Sequence, residues 1–370
     1  MHNEEIKNKP NLIVIASNKR SGASMFACLF DGHPDIFHLI GETRFFVNFI
    51  NVKNKNRLED IDQLFLNLIG RKFTDNKFQS ENKTKKPKDD IIKRDENWRP
   101  HELWTSIQNA SSNIKADEDF LKSAIKTNDD KKIFLQLFSL LRKYFWKYNY
   151  SPRYILEETP DNELHLKKIF AMFPQAKVLH LVRDPFDVIE SILKNQNRQG
   201  LMSYIYSWKK SLAIGIKYQK KYPKQYYFVK YENLVENTEQ VMRQVADFLN
   251  IEFSDCLLRP TVHCGQEPWD CSDQSHQDIP AAIGQVDKRM LRKDARLRLG
   301  EEYMHIIGRF VGPEYNLFRW NKYKEYINKN IIKNILFKDY PGKNLKNMVK
   351  NTIKYFLYYD YGSYKNIEYF

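Results

Sequence analysis

Apolar positions along the chain gather into four short runs, each cut off by a polar loop. Asn11–Ser17 (NLIVIAS) is followed by Asn18, Lys19, Arg20, Ser21 and Gly22, then by a helix-like stretch over 23–32. A run at 153–156 ends on Glu157, Glu158, Thr159 and Pro160. Lys177–Val182 ends on Arg183, Asp184 and Pro185 ahead of a helical pattern over 186–195. Tyr226–Lys230 leads into Tyr231, Glu232 and Asn233 and a helical segment that continues to Leu249. Apolar runs of this length between turn signals read as buried strands. Strands alternating with helices predict a parallel α/β sheet. Ligands of such sheets sit beyond the carboxyl ends of the strands, which places Arg20, Glu157, Arg183 and Tyr231 on one rim.

Between 51 and 150 the pattern changes to Lys- and Asn-rich sequence with a polar stretch at 74–96 and an amphipathic segment at 131–147 (KKIFLQLFSLLRKYFWK). This reads as a helical, Lys-rich insertion or acceptor-binding subdomain. From 321 to 370 Lys alternates with Ile, Leu, Phe and Tyr, as expected for peripheral helices or a basic face toward a membrane surface. The expected organisation is one domain over 10–320 carrying the 51–150 insertion, with 321–370 as a basic aromatic extension. The apolar run at 12–16 is too brief for a leader core or a membrane span. The expectation is a cytoplasmic protein, with peripheral membrane contact through the tail. No internal repeat is visible.

Composition adds limits. Of 370 residues, 42% are hydrophobic and 14% aromatic, enough for a packed core. A formal charge of +14 favours an anionic partner, which leaves nucleic acid, a membrane surface and a phosphate-bearing small molecule open. Four cysteines, Cys28, Cys256, Cys264 and Cys271, make no disulfide framework in so long a chain. His263, Cys264, Cys271 and His276 invite a zinc reading, but their spacing fits no familiar module, and no metal is expected.

The candidate chemistry lies at the strand ends. Arg20-Ser21-Gly22-Ala23-Ser24 stands between a strand and a helix, where free backbone N–H groups attract an anion. Gly22 permits close backbone approach, the hydroxyls of Ser21 and Ser24 add donors, and Arg20 adds fixed charge. The GxxxxGK[ST] pattern is absent, which removes the main support for an ordinary ATPase or a kinase-like enzyme. Arg183 leaves a strand, and Ser191 follows two helical turns later, so both can reach one phosphate. Tyr231 offers an apolar ring with a polar tip, suited to a nucleotide or equally to the core.

Taken with Asp31-Gly32-His33-Pro34 and Gly41-Glu42-Thr43-Arg44, the first motif resembles the amino-terminal block of the protein-tyrosine sulfotransferases and their bacterial relatives. The resemblance implies a P-loop-NTPase-like sheet flanked by helices and 3′-phosphoadenosine 5′-phosphosulfate as co-substrate. It assigns the 5′-phosphosulfate to Arg20, Ser21, Gly22, Ala23 and Ser24, the 3′-phosphate to Arg183 and Ser191, and the nucleotide wall to Tyr231. Ala23 stands where that family has Thr. Lys288, within the polar region 263–289, is the match to a late cofactor lysine.

Sulfuryl transfer needs a base for the acceptor hydroxyl and a cation at the departing oxygen. By resemblance Glu42 is the base, and the Glu-Thr-Arg triplet favours it. Glu157 competes, because Glu157-Glu158-Thr159-Pro160 resembles the Glu-Lys-Thr-Pro segment of heparan-type sulfotransferases. There Glu158 stands where those enzymes have Lys, leaving Arg20, Lys19 or Arg44 to assist departure. The expected function is transfer to a carbohydrate, lipid, peptide or small-molecule hydroxyl. The alternatives are a kinase-like enzyme or a catalytically impaired protein that binds nucleotides or polyanions. Nucleic acid is not an expected partner.

Overall fold

The computed structural model describes residues 10–38, 42–43, 45–46, 129–145, 151–195, 201–269 and 283–327. Five parallel strands form the central sheet: β1 (Asn11–Ser17), β2 (Ile36–His38), β3 (Tyr154–Glu158), β4 (Lys177–Val182) and β5 (Tyr226–Lys230). Their order is β2-β3-β1-β4-β5. β1 is central, pairing with β3 through Val14 and Glu157 and with β4 through Val14 and Val178. β1, β3 and β4 are buried on both faces, as a sheet covered by helices on both sides requires.

Along β1, side chains alternate between two cores. Leu12, Val14 and Ala16 face one cluster with Ile155, Val178, Ile169 and Phe173. Ile13 and Ile15 face the other with Phe26, Phe30, Leu179 and Val245. The helix after β1, α1 (Ala23–Cys28), packs on the second face. The 3₁₀ turn Asn162–His165 that follows β3 leads into α3 (Leu166–Met172), which packs on the first. The chain thus leaves neighbouring strands toward opposite faces, and a crevice opens at their carboxyl ends.

α2 (Asp130–Phe145) comes from the expected insertion, yet its Ile133, Phe134, Leu137 and Phe138 are buried in the first core. The Phe134 ring lies 4.9 Å from Phe45, 5.4 Å from Phe46 and 5.3 Å from Phe173. The rest of 51–150, apart from residue 129, lies outside the described residues.

A third core joins α4 (Pro185–Asn195), α5 (Leu201–Lys221) and α8 (Arg296–Leu317). It is crossed by a buried pair: Lys209 Nζ donates to Glu314 Oε2 at 2.5 Å and to the Phe310 carbonyl at 2.6 Å. Trp320, Tyr323, Tyr326 and Ile327 are buried in the same cluster, so packing continues into the segment expected as an extension. Residues 328–370 lie outside the described set. α6 (Tyr231–Glu236) and α7 (Thr238–Leu249) follow β5 and complete the second core.

Candidate active site

The loop between β1 and α1 carries two residues with positive φ, Arg20 at 68° and Gly22 at 92°. Gly22 is required there twice over. Its φ lies in the left-handed region, and a Cβ would sit 2.6 Å from Cε2 of Tyr231. Tyr231 begins α6 directly after β5, so the β5 rim presses an aromatic face onto the β1 loop.

Arg183, at the end of β4, completes the cluster. Its guanidinium lies 4.4 Å from the centre of the Tyr231 ring, and Nη1 donates to the Arg20 carbonyl at 3.2 Å. Arg20 Nε donates in turn to Ser191 Oγ at 3.0 Å, on α4. The structure therefore brings Arg20, Gly22, Arg183, Ser191 and Tyr231 into one place from four segments of sequence. Ser21 is buried beside them, Ser24 is half-buried, and Ala23 packs into the second core. Burial works against the charge of Arg183, while Tyr231, Asp187, Glu232 and Asp184 favour it and prevail. Its Nε is buried without a hydrogen-bond partner. A cation carrying an orphaned donor beside a second arginine fits a phosphate oxygen.

The base of this cluster is fixed from below. Glu232 accepts from the Asp184 amide at 2.8 Å and from Trp320 Nε1 at 2.9 Å, and Trp208 Nε1 donates to the Arg183 carbonyl at 3.1 Å. Lys293 adds a cation that the sequence pattern did not single out. Burial, and after it the charges of Arg183, Lys194 and Arg298, hold its ammonium below the ordinary lysine range, with Glu190 opposing. Lys288 is exposed at the start of the 3₁₀ turn Lys288–Arg292, which packs against α6.

The two rival carboxylates occupy different surroundings. Glu157 is fully buried on β3 and takes three donors. Thr43 Oγ1 and Thr159 Oγ1 each donate to its Oε1 at 2.6 Å, and Asn162 Nδ2 donates to Oε2. Burial raises its pKa, the three donors pull it back, and the Glu42 charge adds to the rise. Glu42 itself is exposed. It stands close enough to Glu157, Glu158 and Asp161 to raise the pKa of each. Arg44 lies outside the described residues.

Glu158 points to the opposite face, toward α1, and is buried. Burial, then Glu42, then Glu157 push its carboxyl up to about 8, so it is largely protonated at neutral pH. Asp161 sits at φ 72° with its amide on the Ser17 carbonyl at 3.0 Å. Its carboxylate is 3.9 Å from Lys19 Nζ, a residue exposed at the same rim.

Asp31-Gly32-His33 has a structural part. Asp31 is buried and accepts from the Gly265 amide at 2.7 Å, the Cys264 amide at 3.1 Å and Thr261 Oγ1 at 3.2 Å. These bonds dock the short hairpin β6 (Thr261–Val262) and β7 (Glu267–Pro268). A Cβ on Gly32 would lie 3.0 Å from the Gly265 Cα, so the two backbones touch. His33 reaches the Glu252 carbonyl at 2.9 Å. Among the described residues no group of three or more His, Cys, Asp or Glu side chains is arranged to hold a metal ion, and Cys271 and His276 lie outside them. No helix among the described residues is long and apolar enough to cross a membrane.

The chain is similar over 114 residues, at 32% identity, to an uncharacterized protein of Aquifex aeolicus (strain VF5). That match spans 28% of this chain and only 15% of the relative's length. Among solved structures, the sulfotransferase domain from the curacin biosynthetic pathway superposes with a TM-score of 0.51 at 17% identity, over 85% of this chain and 99% of that one. The sulfotransferase domain of the Synechococcus PCC 7002 olefin synthase aligns over 95% of this chain and 96% of its own, at 17% identity with a TM-score of 0.45. The model of a sulfotransferase family matches residues 10–255, the stretch that holds all five strands and most of the rim. A parallel sheet with an arginine-lined loop at its central strand and a match over two thirds of its length together make this chain a member of the sulfotransferase family.

Proposed function

We propose that the protein transfers a sulfuryl group from 3′-phosphoadenosine 5′-phosphosulfate to a hydroxyl acceptor. The observation that carries this is the convergence of Arg20, Arg183 and Ser191 around Gly22 and Tyr231, with the Arg183 Nε donor left buried and unmet. Two arginines linked through one cluster, beside a glycine loop and an aromatic ring, suit a nucleotide bearing phosphate at both the 3′ and 5′ positions of its ribose. Arg183 and Ser191 take the 3′-phosphate, the 20–24 loop takes the 5′-phosphosulfate, and Tyr231 lines the nucleotide between them.

The donor supplies the activated sulfuryl group. Glu42, exposed at the rim, accepts the acceptor's proton as the oxygen attacks sulfur. The bond from sulfur to the bridging oxygen breaks, and adenosine 3′,5′-bisphosphate leaves with the extra negative charge. Arg20, whose carbonyl is tied to Arg183 and whose side chain is tied to Ser191, presents fixed charge to that oxygen. Glu158 stands where a relative's lysine assists departure. A buried carboxyl on the α1 face supplies no cation, so this task passes to Arg20 and Lys19.

Calorimetry with adenosine 3′,5′-bisphosphate, and with ATP as control, tests donor binding. The bisphosphate binds and survives moderate salt, whereas equal affinity for ATP, or binding that vanishes with salt as for any polyanion, refutes the assignment. A screen of hydroxyl acceptors with labelled donor, read by mass, then tests transfer. Glu42→Gln loses turnover and keeps bisphosphate affinity if Glu42 is the base.

A further inference from the structure

Glu157 is a buried carboxylate held by three donors from inside the protein, which suits a support better than a proton acceptor. Its Oε1 takes the hydroxyls of Thr43 and Thr159, each at 2.6 Å, and its Oε2 takes Asn162 Nδ2. Asn162 also donates to the Ile15 carbonyl at 3.2 Å, which ties this carboxylate to the central strand. Thr43 is the residue after Glu42, and its Oγ1 accepts from the Phe45 amide at 3.2 Å while donating to Glu157. Phe45 and Phe46, both fully buried, then lock into the Phe134 cluster. The 42–46 segment is therefore held at two points: a hydroxyl on a sheet carboxylate and a pair of rings in the first core.

We infer that Glu157 is a positioning residue, acting through the Thr43 hydroxyl to hold Glu42 at the rim where an acceptor proton is taken. This deepens the sulfuryl-transfer reading and rests on it for the identity of the base. The geometry of the clamp stands independently of that reading. A base held by one backbone step from a buried anchor loses alignment when the anchor goes, and misplacement by about 1 Å costs roughly 10²-fold in rate. The anchor is buried and its bonds go to Thr43, Thr159 and Asn162 rather than to the 20–24 loop, Arg183 or Ser191, so affinity for adenosine 3′,5′-bisphosphate is expected to stay unchanged.

The test uses the full chain with Glu157→Gln, Thr43→Val, Thr43→Ser and the double variant Glu157→Gln/Thr43→Val. The readouts are hydrogen exchange at the Phe45 amide and sulfate release from 3′-phosphoadenosine 5′-phosphosulfate with water as acceptor. Thr43→Val exposes the Phe45 amide to faster exchange and lowers sulfate release by about 10²-fold. Glu157→Gln moves both in the same direction, the double variant is no worse than Thr43→Val, and Thr43→Ser, which keeps the hydroxyl, restores both. Bisphosphate affinity, measured alongside, reports folding and the nucleotide site. Phe45 exchange unchanged in Thr43→Val overturns the clamp whether or not any sulfate is released. Loss of sulfate release in Glu157→Gln with Thr43→Val at the wild-type rate also overturns it, by making Glu157 the base. Failure to bind the bisphosphate in every protein, with the exchange pattern as expected, refutes the sulfuryl-transfer reading and leaves the clamp standing. Should Glu157→Gln not fold, the Thr43→Val and Thr43→Ser pair decides the matter.

Discussion

Glu163 offers a clean test of how burial sets the stability of this fold. It lies in the 3₁₀ turn after β3 with 1% of its surface exposed, beside the Ser211 hydroxyl and the backbone of Ser17. Burial outweighs those partners and raises its carboxyl from 4.5 to about 8. A carboxyl raised in the native state binds its proton more tightly there than in the unfolded chain. Its contribution is therefore complete below pH 4.5 and is lost as pH rises toward 8. At about 1.4 kcal/mol per pH unit, native stability falls by about 3 kcal/mol between pH 5 and pH 8 on account of this one group.

Glu163→Gln keeps the shape of the protonated acid and removes its titration. Urea unfolding of the variant and the wild type at both pH values isolates the group, since every other titration cancels in the difference. The two proteins are expected to lie within about 1 kcal/mol at pH 5, with the variant more stable by about 3–4 kcal/mol at pH 8. An equal difference at both pH values would refute the reasoning, because it would mean that the carboxyl titrates alike in the folded and unfolded chains.

Gly22→Ala forces a side chain into a left-handed conformation and against the Tyr231 ring at 2.6 Å, and calorimetry is expected to show bisphosphate affinity at least tenfold weaker. Lys209→Met leaves Glu314 buried without its partner and costs about 3–5 kcal/mol in urea unfolding, whereas Lys209→Met/Glu314→Leu recovers most of it. Asp31→Ala removes the acceptor of the Cys264 and Gly265 amides, and their hydrogen exchange is expected to rise to that of open loop while the sheet amides stay protected.

The strands β1, β4 and β5 were legible because each is a continuous apolar run bounded by charged or polar residues, the pattern that burial on both faces imposes. β3 was legible only in part. The sequence run stops at Leu156, yet the strand includes Glu157 and Glu158, two carboxylates that nothing in a local pattern marks as buried. β2 is three residues long and gives no periodic signal. α5 and α8 were missed for opposite reasons: α5 carries Lys209 on its buried side, and α8 contains Pro313 and a non-helical Gly300. The convergence of Arg20, Arg183 and Ser191 was readable because the strand-end rule and the motif spacing agree. The bond between Thr43 and Glu157 was not, since 114 residues separate them and neither residue type is unusual where it stands. Lys293 escaped notice in the same way, as one lysine among many until Arg183 appeared beside it.

The aromatic contact between Phe45, Phe46 and Phe134 joins the chain on either side of residues 47–128. Both sides of that stretch are thus gathered at one place on the first core, close in sequence to Glu42. Closing a loop whose ends already meet depends weakly on length, with each doubling adding only about 0.6 kcal/mol. The fold consequently tolerates great variation between those ends without disturbing the sheet or the 20–24 loop. The Phe45–Phe134 junction thus acts as a socket: the stretch between its two sides can be exchanged while the ring packing and the sheet stay as they are.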